Sequence, residues 1–95
     1  IPIDAVFTND EMACGIYRSL YLNNLKVPDD IAVCGCDDLR ISRQLTPKLT
    51  TIKLDHSELG ILASEHVIKN INQKSSSQKI KLFPRLIIRE STAFN

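Results

Sequence analysis

The stretch AVCGCDDL (residues 32–39) places two cysteines and two acids at one end of an apolar run. Asp37 and Asp38 belong to a residue type that can act in acid–base catalysis, bind a metal ion or accept hydrogen bonds from a sugar. Cys34 and Cys36 add thiols, which can bind zinc or undergo oxidation. Residues 31–36 are apolar on both faces, which predicts a central parallel strand that stops at the acids, so the surrounding elements decide among these chemistries.

The three cysteines favour burial over metal binding. Cys34 and Cys36 are two residues apart, so on one strand their side chains point to the same face. The sequence has no Cys-x-x-Cys spacing, and its two histidines lie far along the chain. We therefore expect small buried thiols in a reducing compartment, with no metal and no other cofactor.

Composition excludes several classes of partner. The 95 residues have a net charge of +1, and Lys and Arg are scattered, which argues against a phosphate-binding surface. No apolar run is long enough to span a bilayer, and the first residues lack the form of a signal peptide. Because the sequence begins without methionine and almost at once with a strand, we expect it to be part of a longer protein.

Hydrophobic periodicity predicts a strand–helix–strand unit at the start of the chain. Residues 3–7 and 31–36 are the two strands, and Thr8 with Glu11 forms a capping box for a helix that ends near Asn23. The later elements are a helical turn within 39–44, a strand at 50–54, a helix that Asp55 caps and that ends near residue 72, an exposed loop at 73–79, and strands at 80–83 and 86–89. The predicted fold is α/β, a parallel sheet flanked by helices.

The first helix has more apolar surface than one buried face requires. Its apolar residues form two stripes: Met12, Ala13, Ile16 and Leu20, and beside them Cys14, Tyr17 and Tyr21. Either another part of the same protein covers the second stripe, or that stripe is a subunit interface.

Polar side chains follow the first two strands at the point where each strand ends. In a parallel α/β sheet, ligands bind beyond these carboxyl ends. Asn9 and Asp10 follow the first strand, and Asp37 and Asp38 follow the second, so together they can bind the hydroxyls of one small polar ligand. Helix capping remains the alternative for Asn9 and Asp10, and strand termination for Asp38. A ligand role is favoured for Asp37.

Catalytic sites built on the same acids lack their usual partners. Phosphoryl transfer normally needs a lysine or magnesium-binding groups at the site, and the sequence contains no P-loop. It also contains no Gly-x-Ser-x-Gly, and His56 and His66 on the second helix are typical of surface or packing residues. The Arg-Glu-Ser-Thr segment at 89–92 is interpreted as a solvated terminus. We therefore expect no enzyme, with a small phosphoryl-transfer or hydrolase domain as the alternative.

Four motifs occur in a characteristic order: DAVFTNDEMACGIYRSL, VPDDIAVCGCDDL, LTPKLTTIKLDHSELGILA and LIIREST. Their order and spacing resemble the C-terminal portion of lac-repressor/gal-repressor family transcription regulators. The resemblance implies a periplasmic-binding-protein type I-like effector domain, of which this chain holds a C-terminal fragment. Residues of about 1–53 and 86–95 would belong to the C-terminal subdomain, and about 55–83 would cross to the N-terminal subdomain. The DNA-binding headpiece would be absent from this chain.

The resemblance also assigns roles to single residues. It implies that Asn9 and Asp37 contact the effector, and that Asp10 and Asp38 are effector-binding or structural. The implied dimer interface comprises Cys14, Tyr17, Arg18, Arg40 and Leu45. One departure concerns the pocket: family members usually have an aromatic or large apolar residue where this chain has Cys36.

The function implied is that of a cytoplasmic, ligand-responsive transcription regulator. Its partners would be a small-molecule effector, a sugar or similar metabolite, a second copy of the chain, and operator DNA bound through the headpiece; no membrane would be involved. An extracytoplasmic sugar-binding protein of a transporter shares the fold and remains the alternative.

Overall fold

The computed structural model describes residues 2–72 and 79–93. Its elements are β1 (Ala5–Phe7), α1 (Asp10–Leu22), β2 (Ala32–Cys36), a 3₁₀ helix (Arg40–Arg43), β3 (Thr50–Lys53), α2 (His56–Asn70), β4 (Arg85–Ile87) and a second 3₁₀ helix (Glu90–Thr92). These confirm the predicted elements, with bounds shifted by a few residues. The strand predicted at residues 80–83 is wrong, and the loop predicted at 73–79 lies, except for Lys79, outside the described residues.

The four strands form one sheet in the order β1-β2-β3-β4. β1 pairs with β2 and β2 with β3 in parallel, which confirms the α/β class and the central position of β2. β4 pairs with β3 in the antiparallel sense, so the sheet is mixed rather than wholly parallel. β4 directly follows Pro84 and lies at the edge, where a residue without an N–H interrupts no ladder.

The chain divides into two compact units, and each is described by itself. The first, Ile1–Lys53 with Arg85–Asn95, contains the sheet and α1. The second, Leu54–Pro84, contains α2. The assignment of such ranges to two subdomains of a larger effector domain stays a prediction.

The core of the first unit lies between α1 and one face of the sheet. Ala13 and Leu20 of α1 are buried with Val33 of β2 and Leu49. These two α1 residues belong to the first of the predicted stripes, as does Ile16, which packs against the cluster. Met12 of that stripe is exposed, so the buried face is narrower than the sequence pattern indicated.

α1 begins one residue later than the capping prediction required. The N-cap is Asn9, whose Oδ1 accepts a hydrogen bond of 2.8 Å from the Met12 backbone N–H. Thr8, predicted as the cap, instead donates its backbone N–H to the Cys34 carbonyl at 3.0 Å. This bond continues the β1–β2 pairing by one residue beyond Phe7. The prediction of Thr8 as the cap is wrong because its backbone takes part in this pairing.

α2 has a sound N-terminus but buries no residue in the described chain. Asp55 caps it as predicted, with its Oδ1 accepting from the Glu58 backbone N–H at 3.0 Å. Three apolar residues of α2 remain mostly exposed, as does the residue at its C-cap: Ile61, Val67, Ile68 and Ile71. Tertiary packing supplies most helical stability, and these side chains contribute little of it within the described residues.

Gly35 of β2 is required by the packing beneath the sheet. A Cβ at Gly35 would clash with Oδ1 of Asp10 and would lie 2.7 Å from Cδ2 of Leu49. A Cβ at Gly15 in α1 would meet no atom within 4 Å. The two glycines therefore form a matched pair for testing the close approach.

We expect Gly35→Ala to lower the free energy of unfolding by about 1–3 kcal/mol, as overpacking a filled core does. Gly15→Ala should raise it by about 0.5–1 kcal/mol, because alanine is the better helix former. Urea denaturation of both variants measures the difference. Equal effects at the two positions would contradict the packing described for β2.

Candidate functional site

The carboxyl ends of β1 and β2 meet at one edge of the sheet, as predicted. The strands are in register, with Phe7 opposite Cys34. Asn9 and Asp10 therefore lie next to the turn that follows β2, which we name the 37–39 turn after its residues. The side chains at this edge differ in how many of their polar atoms are already bonded within the chain.

Asp10 is fully buried and uses both carboxylate oxygens within the protein. Its Oδ1 accepts from the Thr51 hydroxyl at 2.6 Å, and its Oδ2 accepts from the Leu39 backbone N–H at 2.7 Å. A buried carboxylate is tolerated only when its oxygens find such donors. Of the two roles predicted for Asp10, this placement favours the structural one.

The 37–39 turn has an unusual backbone. Asp37 and Asp38 have φ values of 107° and 50°, in the left-handed region that favours glycine. Each residue in such a region costs about 1–3 kcal/mol, and it persists only where the surroundings fix it. The Asp37 N–H donates to the Ile52 carbonyl at 2.8 Å, and the Asp38 N–H donates to the Thr51 hydroxyl at 3.3 Å. Residues of β3 thus fix the backbone of the turn, because they accept hydrogen bonds from two of its N–H groups.

The Asp38 side chain lies at the centre of four interacting residues, which we name the Asp38 network: Asp38, Ser42, Arg43 and Arg89. Oδ1 accepts from Nη2 of Arg89 at 2.8 Å and from the Ser42 hydroxyl at 3.1 Å. Oδ2 accepts from Nη2 of Arg43 at 3.2 Å. The side chain is only 4% exposed. As for Asp10, the placement favours a structural role over effector contact.

The charges around Asp38 determine its protonation. Burial on its own would raise the pKa of this carboxyl. The hydrogen bonds from Arg89 and Ser42, together with the positive charges of Arg89 and Arg43, outweigh burial and lower the pKa of Asp38. The folded protein therefore favours the ionised form.

Asp37 differs from both neighbouring acids. It is half-buried, and its carboxylate has one contact within the described residues, a thiol–oxygen distance of 3.9 Å from Sγ of Cys36 to Oδ1. A thiol is a weak donor, so these oxygens keep nearly all of their accepting capacity. Asn9 is exposed and uses Oδ1 as the helix cap, while its Nδ2 donates to no residue that the structure describes. Asp37 and Asn9 are thus the side chains at this edge with bonding capacity left for a ligand.

The cysteines have the properties of packing residues. All three are free and half-buried. Burial, and then the nearby charge of Asp10, raises the pKa of Cys34, and burial followed by the charge of Asp37 raises the pKa of Cys36. Since the thiolate is the nucleophile and metal ligand, both thiols are poorly suited to either chemistry. Within residues 2–72 and 79–93, no cluster of His, Cys, Asp and Glu has the geometry of a metal site.

The residues predicted for a dimer interface divide into two groups. Tyr17 and Leu45 pack against the core, and the Tyr17 hydroxyl donates to the Pro47 carbonyl at 2.9 Å. Burial is the main reason that the pKa of Tyr17 rises to about 12. Cys14 is half-buried, and Arg18 and Arg40 are exposed. Beside them Tyr21 is 80% exposed, so only part of the second stripe of α1 is covered within the described chain.

The segment at residues 89–92 was predicted as a solvated terminus, and this is wrong. Ser91 is fully buried, donates its hydroxyl to the Val33 carbonyl and accepts from the Thr50 N–H at 2.8 Å. Arg89 reaches the Asp38 network. No local pattern marks these contacts, because their partners lie roughly forty to sixty residues earlier in the chain.

Residues 2–92 match the family described as the periplasmic binding protein-like domain. The chain belongs to this family. It is 47% identical over 89 residues to the ribose operon repressor of Escherichia coli (strain K12), covering 92% of this chain and 27% of that protein. It is 39% identical to the HTH-type transcriptional repressor PurR of Histophilus somni (strain 2336), covering 96% of this chain and 28% of that repressor.

Among solved structures, the chain is similar to a LacI family transcriptional regulator from Enterococcus faecium with bound ribose. The TM-score is 0.84 at 33% identity, covering 95% of this chain and 34% of that structure. These findings confirm the resemblance to lac-repressor/gal-repressor family regulators. The chain spans between a quarter and a third of the length of the curated relatives above. No helix in the described part of the chain has the length and apolar character to cross a membrane.

The lowered pKa of Asp38 gives a pH-dependent contribution to stability. An unfolded Asp titrates near pH ~3.9, so the contribution is present above that pH and is lost as the pH falls through the lower, folded-state pKa. We expect Asp38→Asn to reduce the free energy of unfolding by roughly 1.5–3 kcal/mol at neutral pH, the value of hydrogen bonds to a charged group. The gap from the unmodified protein should narrow below about pH 4.

Denaturant unfolding across the acid range measures this gap. Asp29→Asn is the control, because Asp29 is exposed and its side chain forms no hydrogen bond or ion pair with the residues that the structure describes; we expect it to change stability by less than about 0.5 kcal/mol. If the difference in unfolding free energy between Asp38→Asn and the unmodified protein did not vary with pH, the charge of Asp38 would contribute nothing to folding.

Proposed function

We propose that this chain is the effector-sensing and dimerisation portion of a ligand-responsive transcription regulator that binds a sugar or similar small metabolite. The observation that carries the proposal is the placement of Asp37. Of the three acids at the carboxyl edge of the sheet, Asp10 and Asp38 have both oxygens bonded within the chain, and within the described residues the carboxylate of Asp37 has only a long thiol contact. The named relatives are repressors, and the Enterococcus faecium regulator contains ribose.

The chemistry of the proposed contact follows from the two available side chains. Each carboxylate oxygen of Asp37 accepts hydrogen bonds, so two neighbouring hydroxyls of one sugar can donate to the same carboxylate. The free amide N–H groups of Asn9 donate to a ring or hydroxyl oxygen. A sugar bound in this way contacts the ends of β1 and β2 at once.

The proposed whole protein works by population shift. Its subdomains, to which residues of about 1–53 and 86–95 and of about 55–83 contribute, adopt two relative arrangements, and the effector binds one of them better. A dimer transmits that preference to DNA-binding headpieces on operator DNA in the cytoplasm. The relatives named above are repressors, which favours this function over a transporter's sugar-binding protein or an enzyme. We assign no catalytic residue and no cofactor.

Asp37→Asn tests the effector contact. Asparagine tolerates positive φ at least as well as aspartate, so the turn is retained while the charge is lost. We expect ribose affinity of the full-length protein to fall about 10–100-fold, the loss of charged hydrogen bonds. Isothermal titration calorimetry measures it, with cellobiose and lactose as further sugars.

The matched control is Asp4→Asn. Asp4 is exposed and precedes β1, at the opposite end of the strand from the site, so affinity should be unchanged. If no sugar binds the unmodified protein, or if Asp37→Asn binds as tightly as the unmodified protein, the proposed effector site is wrong.

The proposed dimer interface is formed by Cys14, Tyr17 and Arg18 of α1 with Arg40 and Leu45. We expect Arg18→Glu to weaken the dimer of the full-length protein at least about tenfold, because an acid replaces an exposed base at the contact. Sedimentation equilibrium measures the dissociation constant. Lys26→Glu, an exposed charge reversal beyond the end of α1, is the control, and an equal effect of both variants would place the interface elsewhere.

A further inference from the structure

We infer that Arg89 is a positioning residue for effector binding: it fixes the 37–39 turn, and through the turn the carboxylate of Asp37, without contacting the effector. The inference rests on the proposed function, because it assumes that Asp37 binds the effector. Arg89 lies in the fourth motif, which was interpreted as a solvated terminus, and it comes from the far end of the chain, 51 residues after Asp38.

The Arg89 side chain is bonded from several directions. Nη2 donates to Oδ1 of Asp38 at 2.8 Å, and Nη1 donates to the Ser42 hydroxyl at 2.9 Å and to the Leu49 carbonyl at 3.0 Å. Its backbone N–H donates to the Thr50 hydroxyl at 2.7 Å. With 14% of its area exposed, the side chain is largely removed from water, and its bond to Asp38 is of the charge-assisted, stronger kind.

The 37–39 turn needs such an anchor because its backbone is strained. Asp37 and Asp38 both have positive φ, and neither is glycine. Of these two side chains, that of Asp38 makes the stronger hydrogen bonds within the described chain. The partners of Asp38 therefore determine whether the turn stays in this conformation. Without the Arg89 charge, the Asp38 carboxylate would be buried beside Ser42, with Arg43 as its remaining cation.

Arg43 cannot replace Arg89. It reaches the other oxygen of Asp38 at 3.2 Å, and its side chain is 54% exposed. Exposed ion pairs contribute little, since water screens them and a long side chain loses rotamer freedom. Both arginines thus bind the carboxylate of Asp38, but the Arg89 side chain is largely buried and that of Arg43 is exposed. Arg43 therefore provides a matched control for Arg89.

Asp37 follows any movement of the turn directly. It is the residue before Asp38. Within the described chain, Asp37 itself is fixed by one backbone hydrogen bond, from its N–H to the Ile52 carbonyl, and by the contact of its carboxylate with the Cys36 thiol. A small displacement of Asp38 changes the direction of the Asp37 carboxylate, and a hydrogen-bonding site tolerates displacements of about half an ångström.

The test compares Arg89→Met, Arg89→Lys and Arg43→Met in the full-length protein, with ribose as the probe. We expect Arg89→Met to weaken ribose binding about tenfold or more, measured by calorimetry well below the melting temperature of each variant. Arg89→Lys should recover part of the affinity, because lysine restores the charge beside Asp38. Arg43→Met should bind within about twofold of the unmodified protein.

A second readout needs no ligand. Hydrogen exchange at the amides of Asp37 and Leu39 reports whether the turn opens, because these N–H groups donate to Ile52 and Asp10. We expect faster exchange at these amides in Arg89→Met than in Arg43→Met, while amides in the middle of α1 are unchanged. Faster exchange throughout the first unit would show a general loss of stability and would overturn the positioning role.

The results separate failure of this inference from failure of the proposed function. If Asp37→Asn weakens ribose binding and Arg89→Met does not, Arg89 has no positioning role although the effector site stands. If none of ribose, cellobiose and lactose binds the unmodified protein, or if sugar binding is insensitive to Asp37→Asn, the proposed effector site is wrong and the inference fails with it. Equal weakening by Arg89→Met and Arg43→Met would assign the effect to net charge and also overturn it.

Discussion

The buried carboxylate of Asp10 connects the three elements on which the site depends. Asp10 is the first residue of α1. Its carboxylate accepts hydrogen bonds from the Thr51 hydroxyl of β3 and from the Leu39 N–H at the end of the 37–39 turn. Space for it exists because residue 35 of β2 has no side chain. A charge removed from water requires donors in fixed directions, so this one group determines how the helix, the sheet and the turn meet.

Three acids lie at one edge of the sheet and differ in what surrounds them. The carboxylate of Asp10 is bonded by a hydroxyl and a backbone amide, and that of Asp38 by two arginines and a serine. In the described part of the chain the carboxylate of Asp37 contacts a neighbouring thiol alone. The bonded acids stabilise a strained turn, and the turn presents the third. Structural carboxylates thus support the proposed ligand-binding carboxylate at a position that its own backbone disfavours.

Much of the fold could be predicted from local signals. Neighbouring residues indicate three of its features: the apolar stripe of α1, the Asp55 cap of α2, and the apolar character of both faces of β2. The motifs indicate the family. The sequence favoured a ligand role for Asp37 but left Asp38 open between effector binding and a structural role, because the contacts of Arg89 and Thr51 with Asp38 join residues far apart in the chain. The same reason explains the error at Ser91, whose burial depends on β2 and β3. The Thr8 error arose because strand pairing continued to a residue with good capping chemistry.

The most direct measurement is a crystal structure of the full-length protein with the sugar that binds it most tightly among ribose, cellobiose and lactose. Our account predicts an Asp37 oxygen at about 2.5–3.0 Å from a sugar hydroxyl, the range of O–H···O bonds, with Asp10 and Asp38 still bonded to Leu39 and Arg89. A sugar that contacts Asp38 or Asp10 in place of Asp37, or one bound away from this edge of the sheet, would contradict it.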